Sequence, residues 1–131
     1  MELLEQYIKE LEEDTKLDEF NMKDVQMKLP AIKHKWVGRL MRLKMSNNDL
    51  QREKKRKVYK LTKRLVEESP VKLSFPVAEK RVVEHDSIIQ LDNQIKDAYV
   101  VIEFLEKVEK IFSSMSFDLK NLIEIIHLET T

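Results

Sequence analysis

The residues that decide the fold are 88–105, with the sequence IIQLDNQIKDAYVVIEFL. Apolar side chains recur there at alternating intervals of three and four residues, the heptad spacing of a helix that packs along its length. These side chains are Ile88, Leu91, Ile95, Ala98, Ile102 and Leu105. An adjoining stripe consists of Val101, Phe104, Val108, Ile111 and Met115. The pattern predicts one long helix from about Ala78 to Met115, with an apolar arc wider than one partner helix covers.

Composition excludes most other fold classes. The 131 residues include one glycine and three prolines, so few positions suit the tight turns of β and α/β folds. There is no cysteine, which excludes disulfide frameworks, zinc ribbons and thiol catalysis. We therefore predict an all-α protein with two long helices, short terminal helices and an extended, proline-containing connection.

The N-terminal half is predicted to contain the other long helix. Residues 2–14 carry one apolar face and predict a first helix, and residues 15–30 predict a loop with a short helix. Between Pro30 and Ser69 nothing interrupts a helix of roughly 35 residues. Polar residues around Asn47 are N-cap candidates, so this helix either continues there or breaks and restarts.

The C-terminal half is predicted to begin with a connection. Residues 70–77 contain two prolines and alternate apolar with polar positions, which predicts an extended segment or an edge strand. Ser116 is an N-cap candidate for a last helix. The predicted buried face of that helix is Leu119, Leu122, Ile123 and Ile126. One helical domain over residues 1–131 is predicted, in which residues 1–69 form the N-terminal helices and residues 78–131 form the core and a self-association surface.

The charge is segregated although the whole chain is neutral. Residues 1–30 carry four Lys against nine acids, residues 31–64 carry thirteen Lys or Arg against two acids, and residues 65–131 carry seven against thirteen. A dense cationic block between two acidic flanks indicates contact with a polyanion or an acidic partner.

The cations of residues 52–64 concentrate on one side of the predicted helix, with one aromatic residue among them. Single-stranded nucleic acid binders combine a cationic surface that follows the backbone with aromatic rings on which bases stack. The predicted nucleic-acid-binding residues are Arg52, Lys55, Arg56, Tyr59, Lys60, Lys63 and Arg64. Lys33, Lys35, Arg39 and Arg42 extend this surface in one interpretation, whereas Trp36 lies on the packing stripe and is predicted to be core.

Other functions have weaker support. Glu124 and His127 have the Glu-x-x-His spacing of di-iron helical proteins, but no second copy exists, so neither a metal nor a cofactor is predicted. No phosphate-binding loop, nucleophile elbow or dinucleotide-binding turn is present, so the protein is predicted not to be an enzyme. The alternative function is a helical scaffold whose basic helix docks an acidic protein. A third alternative is a metal-dependent helical enzyme.

Three stretches resemble the UvsY family of phage recombination mediators. They are residues 29–36 (LPAIKHKW), residues 61–65 (LTKRL) and the C-terminal run from Val101 to Ile123, which begins VIEFLE and ends FDLKNLI. Similar length and order of parts extend the resemblance over nearly the whole chain. The family's basic helix closes with two tyrosines and a Ser/Thr-Gly turn, where this chain has VEESP at residues 66–70. Lys60, Lys63 and Arg64 are the positions that match best.

The resemblance implies a function and partners. Members of this family load a RecA-like recombinase onto single-stranded DNA that is covered by single-strand-binding protein, and they assemble into ring-like homo-oligomers. DNA, recombinase, single-strand-binding protein and further copies of this chain are therefore the expected partners. The start of the sequence has no secretory pattern and the longest apolar run is Tyr99–Ile102, so we expect no membrane contact and a location in the cytoplasm, that of the host cell if a phage encodes the protein.

Overall fold

A computed structural model describes residues 1–130 and consists of four helices. They are α1 (Glu2–Asp14), α2 (Met22–Glu68), α3 (Phe75–Val82) and α4 (Asp86–Thr130). No strand is present among the described residues, which excludes the edge strand considered for residues 70–77. The prediction of an all-α fold with two long helices and a proline-containing connection is confirmed.

The chain divides into two compact units. The terminal unit comprises residues 1–42 and 101–130, and the central unit comprises residues 43–100. Helices α2 and α4 each contribute one segment to each unit.

The core of the terminal unit is built around Trp36, which is only 2% exposed. Its indole ring contacts Tyr7 of α1 edge-on, with ring centroids 5.6 Å apart, and Phe112 of α4 at 6.5 Å. The other buried side chains of this unit include Leu29 and Leu40 from α2 and a row from α4, namely Val101, Ile102, Leu105, Val108, Phe112, Met115 and Leu119. The prediction that Trp36 belongs to the core is confirmed.

The central unit packs three helical segments. Ala78 and Val82 of α3 are buried, and so are Ile88, Leu91 and Ile95 of α4. From α2, Thr62 is fully buried, and its hydroxyl donates to the carbonyl of Val58 at 2.6 Å, so no polar group of that side chain lacks a partner. Lys54 of α2 also pairs with Asp92 of α4 at 2.6 Å.

The predicted boundary at Pro30 is wrong, because α2 begins at Met22 and continues through the proline. A proline inside a helix removes one backbone hydrogen bond and costs about 3 kcal/mol. Leu29 is buried immediately before it and Trp36 follows less than two turns later. Packing of these side chains offsets the cost of the proline, which local helix propensity does not. Asn21 precedes the first helical residue, and its carbonyl accepts from the N–H of Val25 at 2.9 Å.

The possible break near Asn47 does not occur, since α2 is continuous to Glu68. Asn47 is 3% exposed and points inward, where its Oδ1 atom has no hydrogen-bond partner among residues 1–130. The residue therefore occupies a packing position of the helix and does not cap a new one.

Two boundaries in the C-terminal half also differ from the prediction. Residues 75–77 are the first turn of α3, capped by Ser74, whose hydroxyl accepts from the N–H of Val77 at 3.4 Å. Residues 83–85 separate α3 from α4, where a single helix was predicted. There His85 Nδ1 accepts from the N–H of Ser87 at 3.2 Å and caps the first turn of α4.

The separate last helix beginning at Ser116 is also wrong, because α4 continues through it. The Ser116 hydroxyl donates back to the carbonyl of Phe112 at 3.1 Å and so does not cap a helix. Of the predicted buried face only Leu119 is buried, while Leu122 and Ile123 are exposed.

Candidate nucleic-acid interface

All seven predicted contact residues lie on the C-terminal half of α2, in the central unit, and all seven are exposed. We call the six cations among them the basic ridge: Arg52, Lys55, Arg56, Lys60, Lys63 and Arg64. In a helix of 3.6 residues per turn, four of these residues fall within a sector of about 80°. These four are Arg52, Arg56, Lys60 and Lys63.

The opposite side of the same helix segment packs against the protein. Leu61 and Leu65 are partly buried, and Thr62 is fully buried. Lys54 also lies on this side, where its ammonium group pairs with Asp92. One helix therefore separates the cations that pack from those that face solvent.

Most of the basic ridge carries uncompensated charge. Arg52 pairs with Asp49 at 3.3 Å, and Arg64 approaches Glu68 at 3.8 Å, both in exposed pairs within one turn. Such pairs contribute about 0–1 kcal/mol and exchange easily for another anion. The other four cations form no ion pair within residues 1–130: Lys55, Arg56, Lys60 and Lys63.

Tyr59 is the aromatic residue of this surface, and it has an aromatic neighbour that the sequence analysis missed. Its ring is tilted by 45° against that of Phe75, with centroids 6.0 Å apart. Tyr59 is 58% exposed and Phe75 is 42% exposed. The sequence Ser74-Phe75-Pro76 contained the signal, because Ser before Pro is typical of a helix N-cap and a first turn.

A groove in the central unit adjoins the two rings. It has a volume of about 540 Å³, and α2, α3 and α4 all contribute to its lining. Lys55 and Tyr59 belong both to this lining and to the predicted contact surface. The groove therefore opens beside the basic ridge.

The cations near Trp36 have a different environment. We call Lys33, Lys35 and Arg39 the paired cluster. Lys35 Nζ donates to Asp14 at 2.6 Å and to Glu10 at 3.0 Å. Arg39 donates to both carboxylate oxygens of Glu10, and Lys33 donates to the hydroxyl of Ser116.

Aromatic rings complete the paired cluster. The guanidinium carbon of Arg39 lies 4.8 Å from the ring centroids of both Tyr7 and Trp36. The indole N–H of Trp36 donates to Asp14 at 2.9 Å. The interpretation in which these cations extend the nucleic-acid surface stays a prediction, and the ion pairs with helix α1 argue against it for Lys35 and Arg39.

The ion pairs shift two pKa values. The hydrogen bond from Arg39 holds the pKa of Glu10 below its ordinary value, against the opposing effect of burial and with further help from Lys35. For Lys35, burial acts to lower the pKa, but hydrogen bonds to Asp14 and Glu10 outweigh it and the pKa is raised. Both groups are thus held in their charged forms.

Other kinds of site were also considered. Within residues 1–130 no cluster of three or more acidic or histidine side chains is arranged to hold a metal ion. Glu124 and His127 are both exposed on α4. No helix in the described part of the chain combines the length and the apolar character that crossing a membrane requires.

Comparison with solved structures identifies a chain of similar fold, the crystal structure of the bacteriophage T4 recombination mediator protein UvsY. The match covers 96% of this chain and 98% of that chain, with a TM-score of 0.82 and 13% sequence identity. No protein-family model matches the sequence, and neither does any curated protein. The resemblance predicted from the sequence is therefore confirmed at the level of the fold.

Proposed function

We propose that this protein is a recombination mediator without catalytic activity of its own. It binds single-stranded DNA along the basic ridge and promotes loading of a RecA-like recombinase onto strands that are covered by single-strand-binding protein. The observation that carries the proposal is the set of four exposed, unpaired ridge cations on a fold similar to UvsY. The proposed compartment is the cytoplasm, where such DNA is handled.

The binding step is electrostatic. Each Lys or Arg that contacts a phosphate releases condensed counterions, so the logarithm of the affinity falls with the logarithm of salt concentration, at about −0.7 per phosphate contacted on a single strand. Cations that already bind a carboxylate release fewer ions. The unpaired ridge therefore suits this role better than the paired cluster does.

Self-association is the second part of the proposal. Beyond the buried row of α4, apolar side chains remain exposed toward the C-terminus, including Ile111, Phe117, Leu122 and Ile125. Burial of such side chains between copies is favourable by about 25 cal/mol per Å². We propose that they join copies into a ring, in which several weak contacts to one strand combine through effective concentration.

Titration with a fluorescent oligo(dT) at two salt concentrations tests the DNA contact. Replacing Lys60, Lys63 and Arg64 with Ala should weaken binding about tenfold or more at low salt and reduce the salt slope by about 2. Circular dichroism and sedimentation should show unchanged helicity and oligomer size, because all three side chains are exposed.

The matched control removes three exposed lysines from the terminal unit, Lys9, Lys23 and Lys28. It makes the same change in net charge, and we expect a much smaller effect on DNA affinity. If the ridge variant binds DNA as tightly as the unaltered protein at both salt concentrations, the ridge is not the DNA contact and the scaffold alternative gains support.

The mediator step requires its own assay. We expect the protein to shorten the lag before a RecA-like recombinase hydrolyses ATP on a strand coated with single-strand-binding protein, and we expect the ridge variant to have lost this effect. DNA binding without any change in the lag would limit the function to strand binding.

A further inference from the structure

The groove beside Tyr59 and Phe75 contains an apolar wall and a polar end. Val58, Val83 and Ile95 form much of the wall, and the two aromatic rings adjoin it. Its volume of about 540 Å³ lies within the roughly 300–1,000 Å³ that is typical of sites for small ligands. The groove is therefore large enough to take a flat ring and too small to take a protein domain.

Local structure holds Phe75 against Tyr59 in advance of any ligand. Ser74 caps α3, and a proline occupies the first turn, so the backbone that carries Phe75 has little freedom. Tyr59 lies in the interior of α2. Two aromatic rings on rigid helices, both substantially exposed, provide a platform that loses little conformational entropy when a ring stacks on it.

The charges around the groove favour an uncharged base over a phosphate. Two carboxylates line it, those of Glu79 and Asp92. Lys54 neutralises Asp92, whereas Glu79 forms no ion pair within residues 1–130. A phosphate entering the groove would meet this negative charge, but an uncharged base would not, and its N–H groups can donate to carboxylate oxygens.

The phosphates of a bound strand would find cations immediately outside the groove. Lys55 lies at the lip of the groove and belongs to the basic ridge, and the other unpaired ridge cations follow along the same helix. A single strand can place its phosphates on the ridge and turn a base sideways, because its bases are not paired. A duplex cannot do so without opening.

We propose that the groove receives one base of a single strand whose phosphates contact the basic ridge, and that the base stacks on the platform formed by Tyr59 and Phe75. This inference rests on the proposed binding of single-stranded DNA and adds to it a base-dependent contact and a specific residue, Phe75. It also predicts that single strands are preferred to duplexes of the same charge.

The test compares two oligonucleotides of equal length, oligo(dT) and the same backbone without bases, binding to the full chain. The variant is Phe75→Leu, which keeps an apolar side chain against Tyr59 and removes the flat ring. We expect it to bind oligo(dT) about tenfold more weakly and the abasic strand with unchanged affinity, because the loss of one stacked base has this size. Phe20→Leu is the matched control, since Phe20 is 96% exposed in the terminal unit.

Three results would contradict the inference, and they are distinguishable. If Phe75→Leu binds oligo(dT) like the unaltered protein, or loses affinity equally for the abasic strand, the groove does not take a base although the ridge still binds DNA. If the unaltered protein binds neither strand, the proposed function itself is wrong. Circular dichroism of the variant should match the unaltered protein and confirm that α3 is intact.

Discussion

Two groups of lysines and arginines on helix α2 have similar chemistry and different neighbours. The paired cluster lies beside α1, whose Glu10 and Asp14 accept hydrogen bonds from Lys35 and Arg39. Within residues 1–130 no acidic helix pairs with the basic ridge in this way, and only its two end residues approach a carboxylate. The first group therefore contributes to the stability of the fold, while most of the second remains unpaired and exposed.

The difference teaches that cation density alone does not identify a binding surface. Both groups are close together in sequence within the same positive segment, residues 31–64. What separates them is the position of the acids of residues 1–30, which the fold of the terminal unit brings to one group only. Experiments that perturb each group in turn test this distinction directly.

The largest expected effect follows from Trp36→Ala, which removes the ring that joins the paired cluster to the core. Trp36 is 2% exposed and contacts Tyr7 and Phe112, so truncation leaves a cavity and should lower the free energy of unfolding by about 3–5 kcal/mol. Urea denaturation followed by circular dichroism measures this change. Phe20→Ala, a control at an exposed position, should change stability by less than about 0.5 kcal/mol. If Trp36→Ala lowers the free energy of unfolding by less than about 1 kcal/mol, the side chains around Trp36 do not form a packed core.

The next effect separates the two groups by their opposite responses. Arg39→Ala removes a hydrogen-bond donor to Glu10 and a cation over two aromatic rings, and should cost about 1–3 kcal/mol of stability. Its affinity for oligo(dT) should stay within about twofold of the unaltered protein. Replacing Lys60 and Lys63 with Ala should show the reverse, with weaker DNA binding and stability within about 0.5 kcal/mol. Equal loss of DNA binding in both variants would abolish the distinction.

The sequence predicted those parts of the fold that depend on periodicity. The heptad spacing of residues 88–105 and the apolar stripe through Trp36 predicted the two long helices, because packing faces repeat with the helical turn. The two apolar stripes of α4 predict an arc wider than one partner helix covers. In the structure, Ile88, Leu91 and Ile95 are buried in the central unit and Val108 and Met115 in the terminal unit, so each stripe has intramolecular partners.

Other features could not be predicted because they depend on tertiary contacts. Pro30 is normally a helix boundary, and only the burial of Leu29 and Trp36 explains why α2 continues through it. The exposure of all seven predicted contact residues followed from the helical phase of α2, whereas the pairing of Arg39 with Glu10 required knowledge of where α1 packs. Phe75 was missed because its segment was interpreted as extended.

Acid should weaken the paired cluster, because protonation of Glu10 removes the partner of Lys35 and Arg39. The pKa of Glu10 is lowered below its ordinary value of 4.5, so Glu10 contributes stability that is fully present above that pH and is lost as the pH falls through the lowered pKa. We expect the free energy of unfolding, measured by urea titration of Trp36 fluorescence, to decrease once the pH is lower than about 4.5. Glu10→Gln should be less stable at neutral pH and should show a shallower fall in acid. The same fall in Glu10→Gln as in the unaltered protein would assign the acid sensitivity to other carboxylates.

The smallest expected effect concerns Glu68, whose carboxylate approaches Arg64 at one end of the basic ridge. Glu68 lies 3.8 Å from Arg64, and both side chains are more than 70% exposed, so Glu68→Gln should change the free energy of unfolding by less than about 0.5 kcal/mol. It should raise the affinity for oligo(dT) about twofold at low salt, because it frees one cation and removes one negative charge, and the gain should disappear as salt screens the surface. Asp24→Asn is the matched control, since Asp24 and Lys28 form a similarly exposed pair in the terminal unit, and it should leave DNA affinity unchanged. An equal gain in DNA affinity in both variants would show that affinity depends on net charge alone. The basic ridge would then not be a specific DNA contact.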